Sequence, residues 1–191
     1  MGYSGSSLKS AKPKSAGFKA APAEIALQRA AARQKRKNYM TSTQFVDLDN
    51  ARLDEQRQVM KDIMTAGHCP FCPENLAVYN KTPILKQGKY WLIVPNQWPY
   101  EHTKVHLLLI LRTHVTDLSQ LDPTAGQELI ELTQWAQREF KILGGALAVR
   151  FGDTNFSAGT INHLHAHLIQ PDIYHPDYKT KPVRLKIGKI L

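Results

Sequence analysis

Apolar residues recur along this chain in three rhythms, and each predicts a different kind of element. Val59 and Ile63, with Leu53 before them, form a stripe that predicts a helix over 51–66, with Asp47 or Asn50 near its cap and Gly67 ending it. A longer stripe (Leu129, Leu132, Trp135, Ala136 and Phe140) predicts the main helix, opened by Asp122-Pro123 and running to about Leu143, before Gly144-Gly145. Short dense runs predict strands over 83–86 and 90–94, joined through Gln87-Gly88, and over 146–151. The run 105–111 reads as a buried strand, although periodicity alone does not separate it from a helix. A compact knuckle at 68–74 and a turn at 96–100 lie between these elements.

The third rhythm is strict alternation. Over 162–169, His163, His165 and His167 alternate with Leu164, Ala166 and Leu168. On a strand the three imidazoles share one face and the apolar residues the other, whereas a helix scatters them. Such a row is open to three readings: a reactive centre, a His-rich metal patch, or core histidines that each need a partner. The order helix, strands, helix, strands gives an α+β fold, an antiparallel sheet with helices packed on one face. Pro171 ends the regular pattern, and residues beyond it read as an extended tail against the domain.

Composition changes this picture in two places. The net charge of +9 is concentrated in residues 1–38, where nine Lys/Arg face the single acid Glu24. The rest of the chain is nearly neutral, so the basicity says little about what a folded domain binds. We read 1–45 as a basic, disordered extension, with a helix expected over 23–37; 46–175 is then the folded domain that carries the histidine row and 176–191 a C-terminal extension. The tail also raises nucleic acid as a partner, through salt-dependent phosphate neutralisation. No apolar run approaches the roughly 18 residues of a membrane span, and a cytoplasmic location is expected. The two cysteines, Cys69 and Cys72, are spaced as half of a tetrahedral zinc site. A pair of unmetallated thiols is the plain alternative.

Residues 163–169 resemble the histidine-triad (HIT) signature, in which histidines alternate with apolar residues; the likeness spans roughly 67–171. The resemblance implies a HIT-like fold, usually dimeric, and a nucleotidyl hydrolase or transferase whose middle histidine attacks an α-phosphate. That residue is His165, with His163, His167 and the upstream His106 completing the catalytic set. It implies substrate contacts from Thr160, from Gly159 where many relatives carry Gln, and from Asn96, two residues further from His106 than the family spacing. Arg150, Asp153 and Asn155 belong to the same polar approach. Zinc-bearing relatives complete the cysteine pair with counterparts of His114 and His163, so a structural zinc on Cys69, Cys72, His114 and His163 is implied, with no organic cofactor.

Dinucleoside polyphosphates or nucleoside phosphoramidates are the implied substrates. A dinucleoside polyphosphate phosphorylase, a deadenylating enzyme on nucleic-acid ends and a non-catalytic nucleotide-binding module are the rival readings. Against nucleic-acid work stands the lack of zinc-finger spacing after the triad and of aromatic–basic interleaving.

Overall fold

A computed structural model describes residues 45–189, together with Ala23, Ala26, Leu27 and Ala30. The chain divides into Met1–Ser42 and Thr43–Leu191. In the first unit the four described positions are helical and exposed, within the helix expected over 23–37; the expected disorder of the extension lies outside the described residues. The second unit carries everything that follows, including the segment expected as a C-terminal extension.

Five strands form an antiparallel sheet: β1 (Lys86–Gln87), β2 (Trp91–Pro95), β3 (Thr103–Leu111), β4 (Ala146–Arg150) and β5 (His165–Pro171), in the order β1-β2-β3-β5-β4. Helices α1 (Asp54–Ala66), α2 (Pro73–Tyr79), α3 (Pro123–Glu139) and the single turn α4 (Thr154–Ser157) complete the α+β fold. Alternation along the strands divides their side chains between two cores. Trp91, Ile93, Leu107, Leu109, Leu164, Ala166 and Leu168 meet Leu129, Leu132 and Ala136 of α3. Each large apolar side chain buried this way contributes roughly 1.5–3 kcal/mol. Trp91 is fully buried, and its indole N–H donates to the Ala125 carbonyl at 2.7 Å, so its one polar atom is satisfied. The helices expected on one face are divided: the long α3 covers this face alone, while α2 sets Leu76 against Leu92, Val94, Leu108 and Ile110 on the other.

Several boundaries move for identifiable reasons. Asp47 caps a separate 3-10 turn at Leu48–Asn50, so α1 begins only at Asp54. Gln56 then reaches back, and its side-chain oxygen accepts the Arg52 amide at 2.9 Å. The knuckle becomes a helix after Cys72, with Pro73 at the first position, where its missing N–H costs nothing. Helix α3 stops before the two glycines. Lys141 takes the left-handed conformation (φ 50°), its amide bonds the Arg138 carbonyl, and the Ile142 amide bonds that of Gln137. This is a Schellman ending, and the buried Ile142 packs into the α3 core. A Cβ at Gly88 would displace the Glu128 carboxylate, which accepts the amides of Lys89, Tyr90 and Trp91. No helix among the described residues is long and apolar enough to cross a membrane.

Candidate active site

The β3–β5 register sets the histidines. Leu108 opposes His167 and Ile110 opposes His165, so His106, two residues earlier on β3, lies diagonal to His167 on the face away from α3. Arg150 on β4 opposes His165 from the other side. His163 departs from the expected row: β5 begins at His165. The preceding residues bond elsewhere, Asn162 to the Phe45 carbonyl and Leu164 to that of Val115. His163 therefore sits in a turn, buried and rotated towards Cys69.

Backbone groups fix which nitrogen of each ring carries the proton. His165 Nδ1 lies 2.6 Å from the His163 carbonyl, and a carbonyl only accepts, so Nδ1 is protonated and Nε2 keeps its lone pair. Burial, reinforced by the Arg150 charge, lowers the pKa of this ring to about 4, so it is neutral at pH 7. The Tyr100 amide donates to His106 Nδ1 at 3.1 Å, which places the His106 proton on Nε2. That N–H donates to His167 Nδ1 at 2.9 Å, although the Asn96 amide nitrogen crowds the same Nε2 at 3.0 Å. His167 then carries its proton on Nε2, which is buried with no partner. Burial and the neighbouring cations keep both rings neutral, with His106 lowered to about 4.

A second cluster lies across the His163 peptide. His163 Nε2–H donates to the Leu111 carbonyl at 2.6 Å, leaving the Nδ1 lone pair 3.3 Å from Cys69 Sγ and 3.2 Å from His114 Nδ1. Cys72 Sγ is 3.6 Å from His114 Nδ1. A tetrahedral zinc with nitrogens at ~2.0–2.1 Å and sulfurs at ~2.3 Å sets N···N near ~3.3 Å and S···N near ~3.6 Å. The four ligand atoms fit that geometry. Burial pushes the Cys69 thiol up to about 12, so its thiolate needs a cation close by.

A cavity of about 890 Å³ opens over these rings; His165, His167, Asn96, Arg150 and Thr160 line it. The Arg150 guanidinium is already committed, to the Ser157 and Lys186 carbonyls and the Tyr100 hydroxyl. Thr160 donates to the Asn50 carbonyl at 3.3 Å. Three residues expected to contact substrate do not line the cavity. Asp153 caps α4 by accepting the Asn155 amide, Asn155 is exposed, and Gly159 offers its carbonyl to Asn50. Polar loop residues here close a turn rather than face the opening.

The cavity also uses residues the sequence pattern did not single out. Arg52 stacks on Tyr100, 4.5 Å from the ring centroid, and donates to the Trp98 carbonyl. Tyr100 packs on His106 and His167. Phe71 meets His165 edge-on, at 5.3 Å between centroids. Residues 180–186 form a further wall. The signal for that wall was present as Lys181, Arg184 and Lys186, cations interleaved with apolar residues.

The HIT domain family model matches residues 78–173, just over half of the chain. Among solved structures, a hypothetical protein from Leishmania major is 18% identical with a TM-score of 0.47, covering 66% of this chain and 84% of that one. A zinc-bound histidine triad family protein from Mycobacterium smegmatis is 20% identical with a TM-score of 0.42, covering 62% and 82%. The diadenosine triphosphate hydrolase of Plasmodium falciparum is 22% identical with a TM-score of 0.39, covering 48% and 62%. No curated protein matches the chain.

Proposed function

The chain belongs to the HIT domain family, and on that premise we propose that it is a nucleotidyl hydrolase or transferase in which His165 attacks the α-phosphorus of a nucleotide. The observation that supports this reading is the bare Nε2 of His165 on the cavity wall, next to the unpartnered Nε2–H of His167. A neutral imidazole with a free lone pair is a competent nucleophile near pH 7. In the first step Nε2 forms a bond to phosphorus, and the bond from phosphorus to the leaving oxygen or nitrogen breaks. His167 Nε2–H donates to the oxygen on which charge develops, and His106 Nε2–H holds His167 in the tautomer that can do so. In the second step water or another acceptor takes the nucleotidyl group and frees His165.

Dinucleoside polyphosphates and nucleoside phosphoramidates are the proposed substrates. Cys69, Cys72, His114 and His163 are proposed to hold a structural zinc, which would supply the positive charge that two buried thiolates need. The consequence for this chain's residues is positional: the His163 ring is fixed, and with it the carbonyl that sets the His165 tautomer. The test is a product assay across both substrate classes, with and without inorganic phosphate. A nucleoside monophosphate released from either class supports the reading, and phosphate incorporated into product identifies a phosphorylase. No turnover of any member rejects it.

A further inference from the structure

The last stretch of the chain crosses the cavity as a strap held at both ends. Near its start, His102 Nδ1–H donates to the Lys181 carbonyl at 2.8 Å, and the His102 ring packs on that of His175, 4.2 Å between centroids. In the middle, Arg150 donates to the Lys186 carbonyl at 3.1 Å. Near its end, the Lys189 amide donates to the Asn155 carbonyl, and its ammonium meets Asp47 at 2.6 Å and Asp49 at 3.2 Å. The Lys189–Asp47 pair is shielded, with side chains only 13% and 12% exposed, so salt screens it weakly. Burial alone would raise the Asp47 pKa. Hydrogen bonds from Lys189 and Thr154 outweigh it and hold the carboxyl below its ordinary value. Asp47 also accepts the Thr154 hydroxyl at 2.7 Å, and its amide donates to the Thr160 carbonyl. The clasp is thereby joined to the loop that carries Thr160.

Three cations of this strap, Lys181, Arg184 and Lys186, line the cavity, and their side chains have no hydrogen-bond or ion-pair partner among the described residues. The other two cations of the wall, Arg52 and Arg150, are engaged with protein oxygens. Only Asp49 and Glu101 oppose them, and Asp49 already faces Lys189. Free cations around a concave site concentrate its field on an anion.

Resting on the nucleotidyl-transfer reading, we infer that the clasped strap recognises the part of the substrate beyond the attacked phosphorus, with Lys181, Arg184 and Lys186 taking a run of phosphates there rather than a neutral amine leaving group. Lys189 and Asp47 are positioning residues in this account. They hold the strap and touch no substrate.

Inorganic tripolyphosphate is the direct probe, titrated calorimetrically into the full chain. The basic segment 1–38 is common to all variants, so differences between them report the strap. Replacing the three cations together (Lys181→Met, Arg184→Met, Lys186→Met) is expected to weaken binding at least tenfold. The charge-keeping set (Lys181→Arg, Arg184→Lys, Lys186→Arg) is expected to stay within threefold of the wild type. Lys189→Met, checked for folding by its melting temperature, is expected to lose affinity as well and to expose the strap to proteolysis. In turnover, the Met variant is expected to lower at least tenfold the ratio of kcat/KM for a dinucleoside polyphosphate over that for a nucleoside phosphoramidate. Equal tripolyphosphate affinity in the wild type and the Met variant, or an unchanged ratio, overturns the inference. Strap-dependent tripolyphosphate binding in a protein that turns over no nucleotide leaves the anion site standing and rejects the catalytic reading instead.

Discussion

The cavity corner and the proposed metal corner meet at one residue, His163, and differ in how their free nitrogens are placed. His106 and His165 in the cavity corner and His163 in the other each have one nitrogen tied to a main-chain group. In the metal corner the remaining nitrogens of His163 and His114 converge on each other and on two sulfurs, a set that needs a cation between its members. In the cavity corner His165 Nε2 is left as an acceptor on a ring that lines the cavity, and His167 Nε2–H is a buried donor with no partner. For His163 and His165 a main-chain carbonyl thus decides which nitrogen is left free. Residue type alone does not.

The largest expected effect comes from emptying the cavity corner. His165→Ala removes the proposed nucleophile and leaves Leu164, Ala166 and Leu168 in their core. Turnover is expected to fall by several powers of ten, about 4–7 kcal/mol of barrier, with melting temperature and nucleotide affinity nearly unchanged. Unimpaired steady-state turnover would erase the distinction between the corners.

Cys69→Ser strikes the metal corner instead. Expected are loss of bound zinc by elemental analysis and a stability loss of several kcal/mol in denaturant melts. A fall in turnover follows, because the His163 carbonyl loses its anchor. A variant with neither metal nor stability loss would make the corner an ordinary pair of thiols. His167→Ala comes next, since it removes the Nε2–H donor and not the bond-forming atom. A loss of about 10²–10³ in kcat is expected, roughly 2.7–4 kcal/mol, with KM little changed.

The last effect is a pH slope in stability, which leaves turnover at pH 7 out of the comparison. His106 has its folded pKa lowered to about 4, by burial first and then by Arg52 and Arg150. The unfolded state takes up this proton near pH 6.5 and the folded state only near 4, so stability falls as pH falls through that window. The contribution is on the order of 3 kcal/mol by pH 4, and His106→Asn is expected to flatten that part of the urea-melt profile.

What the sequence made legible follows from local spacing. The 3.6-residue stripe located α3, and alternation put His165 and His167 on the face opposite Ala166 and Leu168, where β5 holds them. The cysteine spacing pointed to half of a metal site, and the structure brings His114 and His163 to it. What stayed hidden depends on main-chain atoms or on distant segments. The His163 carbonyl that sets the His165 proton leaves no mark in a side-chain pattern. Arg52 and the strap reach the cavity from opposite ends of the domain. Asp153 and Asn155 stay off the cavity wall for a local reason: an Asp two residues before an amide closes a turn as readily as it approaches a phosphate.

The central claim is that His165 attacks through Nε2 because Nδ1 is held by the His163 carbonyl. Rapid quenching of the wild type with substrate, followed by alkaline peptide mapping and NMR of the modified ring, tests it most directly. The account predicts an acid-labile nucleotidyl group on the peptide containing His165, bonded to Nε2. A nucleotidyl group on Nδ1, or on any other residue, would contradict it.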